Sequence, residues 1–541
     1  MNKFLNWGLK FHLSNILLVF IVCIGIFLRV VSSQTSPPGF NEDEAALGYN
    51  AYSIFITGRD EHGVLFPLSL ESFGDWKLPV YSYVTILPIV FFGLTEFAVR
   101  FPSILSGAIG IILIYYICQK LFSRKSVSLY AAFFFAVSPW SIFFSRAAYE
   151  VNLATTIFLG GLLLFLNGLD KKKYWSVYLL AAGILFGITL FTYHAYIIFI
   201  PLFSIFLSIY IWKRLGKKII IFLLPIVILT FVSSISSYST GAVKFETTTI
   251  FANKDIIYNR AERFRKDTIS YPLFNKIFSK YSGIPYQILQ NYLSSFSPSF
   301  LFDKGGEKLR HNLEGFGNLY VFESLLLVIG FIGLFYYREK NNAIILAWLA
   351  IAPIPSSLTL DSPNSTRLFI LMPLFTLVSA YGAWVLIIYL RKNIPGKIMI
   401  GVLSFLFLAN VLFFLNLYFI HFPYSRAAFW RFGYKELVEV SNKYPNKNLT
   451  MQGVYDFPYI FFLFYNKYDP QKFRQEVKYC PVSYDGFKYV KQFGKYKFVQ
   501  ALSSEKEIPG VLYVDNQNFH TGDNIMRYPN GEPVFKYFIG K

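Results

Sequence analysis

The distribution of apolar residues along the chain predicts a helical protein that crosses a membrane many times. A membrane-spanning helix needs about 17–25 mostly apolar residues, and eleven stretches of the sequence approach or reach that length. They cover residues 14–32, 101–119, 127–145, 151–169, 175–194, 196–212, 219–238, 320–337, 342–358, 367–390 and 398–420. The many later spans favour a retained anchor over a cleaved signal peptide at residues 1–31. We therefore expect about eleven transmembrane helices.

A further apolar stretch, residues 78–92, is interpreted from the distribution of charge. Basic residues cluster between the predicted spans, at Arg124-Lys125, Lys171-Lys172-Lys173, Lys213-Arg214 with Lys217-Lys218, Arg338 with Lys340, and Arg391-Lys392. Short cytoplasmic loops are rich in Lys and Arg, and all of these clusters lie inside only if residues 78–92 do not cross. We therefore predict an interfacial or re-entrant helix at 78–92, a cytoplasmic N-terminus and a plasma (inner) membrane location.

Three regions outside the bilayer are large. The first outer loop covers residues 33–100, and a second loop covers residues 239–319, too long for a simple connection. After residue 420 the apolar runs shorten and lysines become frequent. Predicted strands lie at 449–454, 496–501, 511–514 and 534–539, and predicted helices at 436–443 and 460–466. The sequence thus predicts a membrane domain, 1–420, and a small extracytoplasmic α/β domain, 421–541.

Composition supports a membrane protein and changes the interpretation of the charge. Hydrophobic residues make up 54% of the chain, aromatic residues 20% and charged residues only 15%. The formal net charge of +20 is compatible with nucleic-acid binding in principle. Because many of the bases lie in clusters between apolar spans, they indicate membrane topology, with membrane lipids and not nucleic acid as partners. The three cysteines, Cys23, Cys118 and Cys480, show neither a disulfide framework nor a metal-binding spacing.

Three consecutive carboxylates, Glu42-Asp43-Glu44, follow the first span. Acidic residues are scarce in this chain, with 31 Asp and Glu among 541 residues. A cluster of acids at the end of a span indicates a site for a proton, a metal ion or a cationic transition state. The alternative is a solvated acidic loop.

Further polar residues are predicted to face the same outer side of the membrane. The predicted outer loops contribute Arg59, Lys77, Glu150, Tyr193, His194, Tyr196, Arg310, His311, Asp361 and Arg367. Carboxylates deprotonate hydroxyl groups or bind divalent cations, whereas Arg, Lys and His neutralise phosphate. A site that holds both kinds of residue is suited to transfer a group from a phosphorylated donor to an alcohol or amine.

In these segments of its sequence, the chain resembles membrane glycosyltransferases of the GT-C superfamily. It is most similar to the bacterial group that includes protein O-mannosyltransferases and lipid A aminoarabinose transferases. The matching segments are Asp43-Glu44, Thr57-Gly58-Arg59-Asp60 with Pro67, Lys77-Leu78-Pro79, the segment from Gly93 to Ser103, and Ser145-Arg146 with Glu150. The likeness is good over about residues 1–200, patchy over 280–390 and only architectural in the C-terminal part.

The resemblance implies a sugar linked to polyprenyl phosphate as donor and transfer on the outer face, with a hexosyl- or pentosyltransferase activity. It implies Asp43 as the general base of an inverting displacement, with Glu44 and Glu150 as further acids. Donor-phosphate contacts are expected from Lys77, Arg367, Arg59 and His194, and acceptor or sugar contacts from Arg310, His311 and Tyr196. A divalent metal held by Asp43 and Glu150 is a further expectation; no other cofactor is expected.

The sequence also departs from the family pattern. Glu150 stands where the family usually has Asp, Trp76 stands where the aminoarabinose enzymes have Glu, and only His194 represents an expected basic residue. Each candidate also has a structural alternative. For Glu44 the alternative is that it orders the loop, and for Lys77 that its side chain extends to the membrane surface. For Arg59 the alternative is an ion pair with neighbouring acids.

Two other functions are compatible with the sequence. One is a transporter or flippase for a lipid-linked or anionic solute, although the spans carry almost no ionisable residues and no inverted repeat. The other is a non-catalytic membrane sensor whose outer domain binds glycan. The acceptor of a transferase, whether lipid, protein or cell-wall glycan, is not specified by the sequence.

The charge bias generates a topology prediction. Single cysteines introduced at Glu150, at Asp361 and within 421–541 should react with an impermeant reagent from outside, whereas cysteines at Arg391 and Lys392 should react only from inside. Labelling of position 150 from the inside would show that residues 78–92 cross the membrane.

Overall fold

The computed structural model describes residues 2–170, 173–236, 248–251, 254–267, 280–339, 341–481, 486–517 and 524–541. Lys171, Lys172 and Lys340 of the basic clusters, and most of the first part of the 239–319 loop, lie outside the described residues. The chain divides into two compact units. The helical unit comprises Met1–Arg29, Leu105–Ser145 and Tyr149–Phe414, and the mixed unit comprises Val30–Ile104, Arg146–Ala148 and Leu415–Lys541.

Helices account for most of the first 430 residues. Up to residue 236 they are α1 (Asn2–Val30), α2 (Glu42–Thr57), α3 (Val80–Phe92), α4 (Glu96–Phe122), α5 (Lys125–Val137), α6 (Pro139–Ser145), α7 (Glu150–Asp170), α8 (Trp175–Thr189), α9 (Ala195–Leu215) and α10 (Ile220–Ser236). They continue with α11 (Lys254–Asp267), α12 (Lys280–Ser294), α13 (Val321–Tyr337), α14 (Asn342–Ile351), α15 (Ile354–Ser357), α16 (Leu371–Leu390), α17 (Ile394–Asn416) and α18 (Phe422–Ser425).

The helices make this a multi-pass membrane protein. Among the described residues, six helical segments are long and apolar enough to cross a membrane, and the bent pair α5 and α6 adds a seventh if it forms one span. These segments and the shorter apolar helices coincide with the stretches predicted from the sequence. The number of spans itself stays a prediction.

Helix α3 fills the stretch that is interpreted as interfacial. It has 13 residues, which corresponds to a length of about 20 Å, shorter than the hydrocarbon core of about 30 Å. Val84, Leu87 and Phe91 are among its exposed apolar residues. Its length and apolar surface suit the predicted interfacial helix.

The C-terminal part of the mixed unit contains a seven-stranded sheet in the order β4-β5-β6-β3-β7-β9-β8. The strands are β3 (Leu449–Gln452), β4 (Lys478–Tyr479), β5 (Val490–Phe493), β6 (Tyr496–Val499), β7 (Leu512–Asp515), β8 (Ile525–Arg527) and β9 (Pro533–Ile539). The helices α19 (Tyr434–Asn442), α20 (Tyr459–Tyr465) and α21 (Pro470–Glu476) accompany them. Strand β3 is buried along its whole length and parallel to both of its neighbours, as expected for a central strand.

Four of these strands, β3, β6, β7 and β9, confirm the strands predicted from apolar and β-branched runs. Helices α19 and α20 likewise confirm the two predicted helices. Strands β4, β5 and β8 are not predicted. They are two to four residues long and contain Lys, Gln or Arg, so their sequence carries little strand signal.

The helical unit contains a fully buried arginine, Arg29, near the end of the first membrane helix. Its guanidinium donates to the hydroxyl oxygens of Ser141 (2.6 Å) and Ser145 (3.2 Å) and to the carbonyl oxygens of Gly25 (2.8 Å), Ala136 (3.0 Å) and Phe135 (3.3 Å). The last two carbonyls belong to the final turn of α5, where the chain bends by 53° into α6. Carbonyls at a helix end lack helical partners and carry partial negative charge. Arg29 therefore supplies hydrogen bonds to carbonyl groups at the break between α5 and α6.

Replacing Arg29 should destabilise the helical unit. In Arg29→Met the carbonyls of Phe135 and Ala136 lose their buried donor, and each unsatisfied group costs about 1–3 kcal/mol. We expect a lower thermal unfolding midpoint of the purified protein in detergent. Lys392→Met, at an exposed position after α16, should leave the midpoint unchanged. An unchanged midpoint in Arg29→Met would show that the break is stable without the arginine.

Candidate active site

The three consecutive carboxylates form the first turn of α2. Asn41 caps the helix: its side chain accepts a hydrogen bond from the backbone of Glu44, and the Glu44 carboxylate accepts one from the backbone of Asn41. This reciprocal arrangement is a capping box. The positive end of the helix dipole favours acids in this turn, so local structure explains why the triplet starts a helix.

Each carboxylate of the triplet has its own basic partner. The shortest oxygen-to-nitrogen distances are 3.1 Å for Glu42 and Arg431, 2.8 Å for Asp43 and Lys77, and 2.9 Å for Glu44 and Arg100. We call these six residues the three-pair row. All of them belong to the mixed unit. The positive charges offset the repulsion that three adjacent carboxylates would otherwise experience.

The three acids differ in exposure, and this difference separates their roles. The side chain of Asp43 is 41% exposed, that of Glu42 17% and that of Glu44 only 2%. Both oxygens of Glu44 are bound internally, by Arg100, by Asn41 and by the backbone N–H of Ala148. Glu44 therefore orders this part of the chain, whereas Asp43 presents its carboxylate to solvent.

Arg100 connects the buried acid to the segment that precedes α2. Besides Glu44, its guanidinium donates to the carbonyl oxygens of Ser33 (3.2 Å) and Gly39. The Arg100 side chain is 2% exposed. Removing one partner of a buried ion pair typically costs about 3–5 kcal/mol, because the other charge is left unpaired. The Glu44–Arg100 pair thus fixes the start of α2 relative to residues 33–39.

A short hairpin brings Lys77 to Asp43. Strands β1 (Leu70–Ser72) and β2 (Asp75–Lys77) pair in antiparallel register, with Lys77 opposite Leu70. The Lys77 side chain is 8% exposed, and its ammonium lies 5.1 Å from the centre of the Phe73 ring. A cation over an aromatic face gains further stabilisation. Lys77 thus holds a fixed positive charge beside the most exposed acid of the row.

Arg59, the other predicted phosphate contact in the first outer loop, binds its own turn. Its guanidinium donates to the carbonyl oxygen of Gly63 at 2.7 Å, and the residue is exposed. The carboxylate of Asp60 closes the same turn by accepting from the backbone of His62 and Val64. The contact with Gly63 indicates that Arg59 stabilises its own loop.

The helical unit holds a second group of predicted residues around Arg367. Its guanidinium binds Asp361, which also lies 3.3 Å from the ammonium of Lys308. Burial alone would raise the pKa of Asp361, but Arg367 and Lys308 outweigh it and hold that pKa below its ordinary value. Burial, and to a smaller extent the charge of Glu150, raises the pKa of the neighbouring Tyr193 hydroxyl. The structure thus associates Arg367, Asp361, Tyr193 and Glu150 within one unit.

The remaining predicted residues of the helical unit occupy different environments. His311 is buried and lies edge-on to Tyr149, with 5.6 Å between the ring centres. The Tyr149 hydroxyl reaches the backbone carbonyl of Arg310 at 3.5 Å. Tyr196 is fully buried, and its hydroxyl lies 2.8 Å from that of Thr155. Tyr196 thus packs in the interior, whereas His194 is half-buried just before α9.

Nothing among the described residues supports the metal site predicted at Asp43 and Glu150, which stays a prediction. Within the described ranges, no group of three or more His, Cys, Asp or Glu residues is arranged to hold a metal ion. The Asp43 carboxylate instead has the Lys77 ammonium as a partner at 2.8 Å. A lysine ammonium has no lone pair to offer a metal ion.

Two basic members of the three-pair row, Arg100 and Arg431, were not assigned a role from the sequence. Arg100 lies in the Gly93–Ser103 segment that resembles the family, so a signal for it existed. Arg431 lies 389 residues from its partner Glu42. No local pattern reveals a pair so distant along the chain.

The fold is similar to that of known membrane glycosyltransferases. The apo oligosaccharyltransferase of Archaeoglobus fulgidus superimposes with a TM-score of 0.50 and 13% identity, covering 83% of this chain and 63% of that one. AglB of the same organism, in complex with an inhibitory peptide and a dolichol-phosphate, superimposes with a TM-score of 0.49 and 13% identity, covering 84% of this chain and 64% of that one. ArnT of Cupriavidus metallidurans bound to undecaprenyl phosphate gives a TM-score of 0.48 and 12% identity, covering 96% of this chain and 97% of that one. The chain spans less than two thirds of the archaeal enzymes' length.

The architecture is therefore that of the GT-C glycosyltransferases, which confirms the fold class and the resemblance predicted from the sequence. Within that class, residues 77–238 match the family model of dolichyl-phosphate-mannose-protein mannosyltransferases. The matched range begins at Lys77 and includes Glu150, His194 and Tyr196, whereas Asp43 precedes it. No curated protein sequence matches the chain significantly.

Proposed function

We propose that this protein transfers a sugar from a polyprenyl-phosphate donor to a hydroxyl or amine acceptor on the outer face of the membrane. The observation that carries the proposal is the Asp43–Lys77 pair, with 2.8 Å between carboxylate and ammonium and a solvent-exposed carboxylate beside a buried lysine side chain. A proton acceptor and a fixed cation are the two groups that this reaction needs. The GT-C fold and the family match over residues 77–238 support the same reaction class.

Asp43 is the general base of the proposed reaction. An acceptor hydroxyl is a poor nucleophile at neutral pH, and positioned proton removal contributes about 10²–10⁴ in rate. Among the acids of the triplet, Asp43 has the most exposed side chain, whereas both oxygens of Glu44 are bound internally. The catalytic role expected for Glu44 therefore becomes, in our proposal, that of ordering the helix start.

The proposed displacement proceeds in one step. The acceptor oxygen or nitrogen attacks the anomeric carbon while the bond from that carbon to the phosphate oxygen breaks. The acceptor proton moves to the Asp43 carboxylate, and the electron pair of the broken bond leaves with the polyprenyl phosphate. Attack opposite the leaving group inverts the anomeric carbon. A nearby carboxylate also stabilises the oxocarbenium-like transition state electrostatically.

Lys77 responds to the charge movement in this step. Asp43 loses its negative charge when it takes the proton, and the leaving phosphate gains negative charge at the same time. The ammonium that neutralises Asp43 in the resting protein thereby becomes available to the phosphate. A cation whose interaction with the phosphate strengthens during the reaction lowers the barrier and does not merely tighten binding.

The other predicted contacts are parts of the proposal that rest on the sequence. Glu150 is proposed as a further acid, and Arg367 and His194 as phosphate contacts. The ion pairs of Arg367 with Asp361 and of Asp361 with Lys308 give that region charged groups of both signs. Arg310 and His311 are proposed to contact the sugar or the acceptor. The interior position of Tyr196 and the turn contact of Arg59 favour supporting roles for these two residues.

Replacing the base should abolish turnover. Asp43→Asn is nearly isosteric, so we expect normal folding and donor binding with a loss of about 10²–10⁴ in rate. Release of polyprenyl phosphate from a polyprenyl-phosphosugar by the purified protein measures this loss. The control Glu436→Gln removes an exposed acid of the same unit and should retain activity. Normal turnover in Asp43→Asn would refute the base, and donor translocation without cleavage by the wild-type protein would indicate a flippase.

Replacing the cation should affect the reaction more than donor binding. In Lys77→Met the leaving phosphate lacks its counter-charge, so turnover should fall at least as much as donor affinity. Single-turnover rates and donor affinity, measured separately, give the two quantities. Lys497→Met is the matched control, because Lys497 of β6 forms an ion pair with Glu505, away from the hairpin that holds Lys77. Full activity in Lys77→Met would remove Lys77 from the site.

A further inference from the structure

Arg431, the partner of Glu42 in the three-pair row, comes from the chain that follows the last predicted membrane helix. Its Nε lies 3.1 Å from the Glu42 carboxylate, and its Nη1 lies 2.9 Å from the Asp456 carboxylate. The two carboxylates thus bind different nitrogens of one planar guanidinium. Because that plane is rigid, two contacts from different segments fix its orientation.

The backbone around Arg431 is also held against the segment before α2. Arg431 adopts a left-handed conformation (φ 54°) directly after the short turn Ala428–Trp430. A non-glycine residue in this region is uncommon, and such strain persists only where the surroundings enforce it. Gly39 provides that close packing, because a Cβ at this position would lie 2.1 Å from the carbonyl oxygen of Trp430. The position of Arg431 beside the start of α2 is therefore fixed by backbone as well as side chain.

The helical geometry of α2 carries the restraint that Arg431 places on Glu42 to the next residue, Asp43. Glu42 and Asp43 are consecutive residues of one helical turn, so their side chains project about 100° apart around the axis. Arg431 holds Glu42 and Lys77 holds Asp43 without competing for one carboxylate. Two fixed cations in different directions restrain the rotation of the first turn about its axis.

We infer that Arg431 is a positioning residue that acts through Glu42 to hold the first turn of α2 in the orientation that presents Asp43 to the acceptor. The inference rests on the proposed function for its catalytic consequence. It gives the C-terminal part of the chain a role in the chemistry: this part supplies one of the restraints on the base. Arg431 itself needs no contact with either substrate.

The test is a double-mutant cycle with two independent readouts. Arg431→Gln should lower kcat about 10–100-fold, the range expected when a catalytic group is slightly misplaced, and leave the KM for a polyprenyl-phosphosugar within about twofold. Amide hydrogen exchange of residues 40–46 should become faster. Arg431→Lys, which keeps the charge, should restore part of kcat. Because Arg431 acts through Glu42, Glu42→Gln combined with Arg431→Gln should lower kcat no further than Arg431→Gln alone.

The control is Lys472→Gln, which removes an exposed lysine from a helix of the same unit and should change neither readout. Unchanged kcat and exchange in Arg431→Gln would overturn the inference, and so would additive losses in the cycle or an equal loss in the control. If Arg431→Gln does not fold, Glu42→Gln alone serves in its place because it removes the charge that Arg431 binds, and unchanged exchange at residues 40–46 together with wild-type kcat overturns the inference. Hydrogen exchange tests the restraint even if Asp43→Asn retains turnover. That result would refute Asp43 as the base in the proposed function and would leave the restraint itself untouched.

Discussion

The arrangement of the mixed unit depends on the buried ion pair between Glu44 and Arg100. A buried pair of this kind contributes little net stability, because the desolvation of both charges offsets their attraction. Its effect is to define one arrangement, since every oxygen and nitrogen involved must find its partner. Through Arg100 and the backbone of Ala148, the pair joins three separate stretches of chain. With Glu44 committed to the interior, the preceding residue on the same turn is left to face solvent.

The three-pair row shows how charge is distributed between structure and chemistry. Its most buried pair fixes the backbone, whereas its most exposed acid, in the central pair, is the one assigned to chemistry. The central pair is suited to a reaction in which a proton arrives at a carboxylate as charge develops on a phosphate, because one ammonium serves both anions in turn. Neutralised neighbours matter here, since unpaired carboxylates beside Asp43 would favour its protonated form, which cannot accept a proton.

The features that could be predicted from the sequence are those encoded locally. Apolar length identified the membrane helices, and apolar and β-branched runs identified β3, β6, β7 and β9. The sequence also singled out Asp43 and Lys77, but as residues with separate partners and not as an ion pair. Contacts between distant residues, such as Glu42 with Arg431, leave no periodic pattern. The same limit applies to Glu44 and Tyr196, because polarity alone does not distinguish a residue at a site from one that satisfies the interior.

The hydrogen bonds of Arg29 have a consequence for how this membrane protein is made. Four of its acceptor residues, Phe135, Ala136, Ser141 and Ser145, lie more than one hundred positions later in the chain. During synthesis the first helix therefore leaves the ribosome long before its arginine has partners within the membrane, and a lone arginine in a membrane helix is costly. Chains that end before residue 145 lack part of that network. Reporter fusions truncated there would describe an immature first helix, and topology is better read from full-length chains.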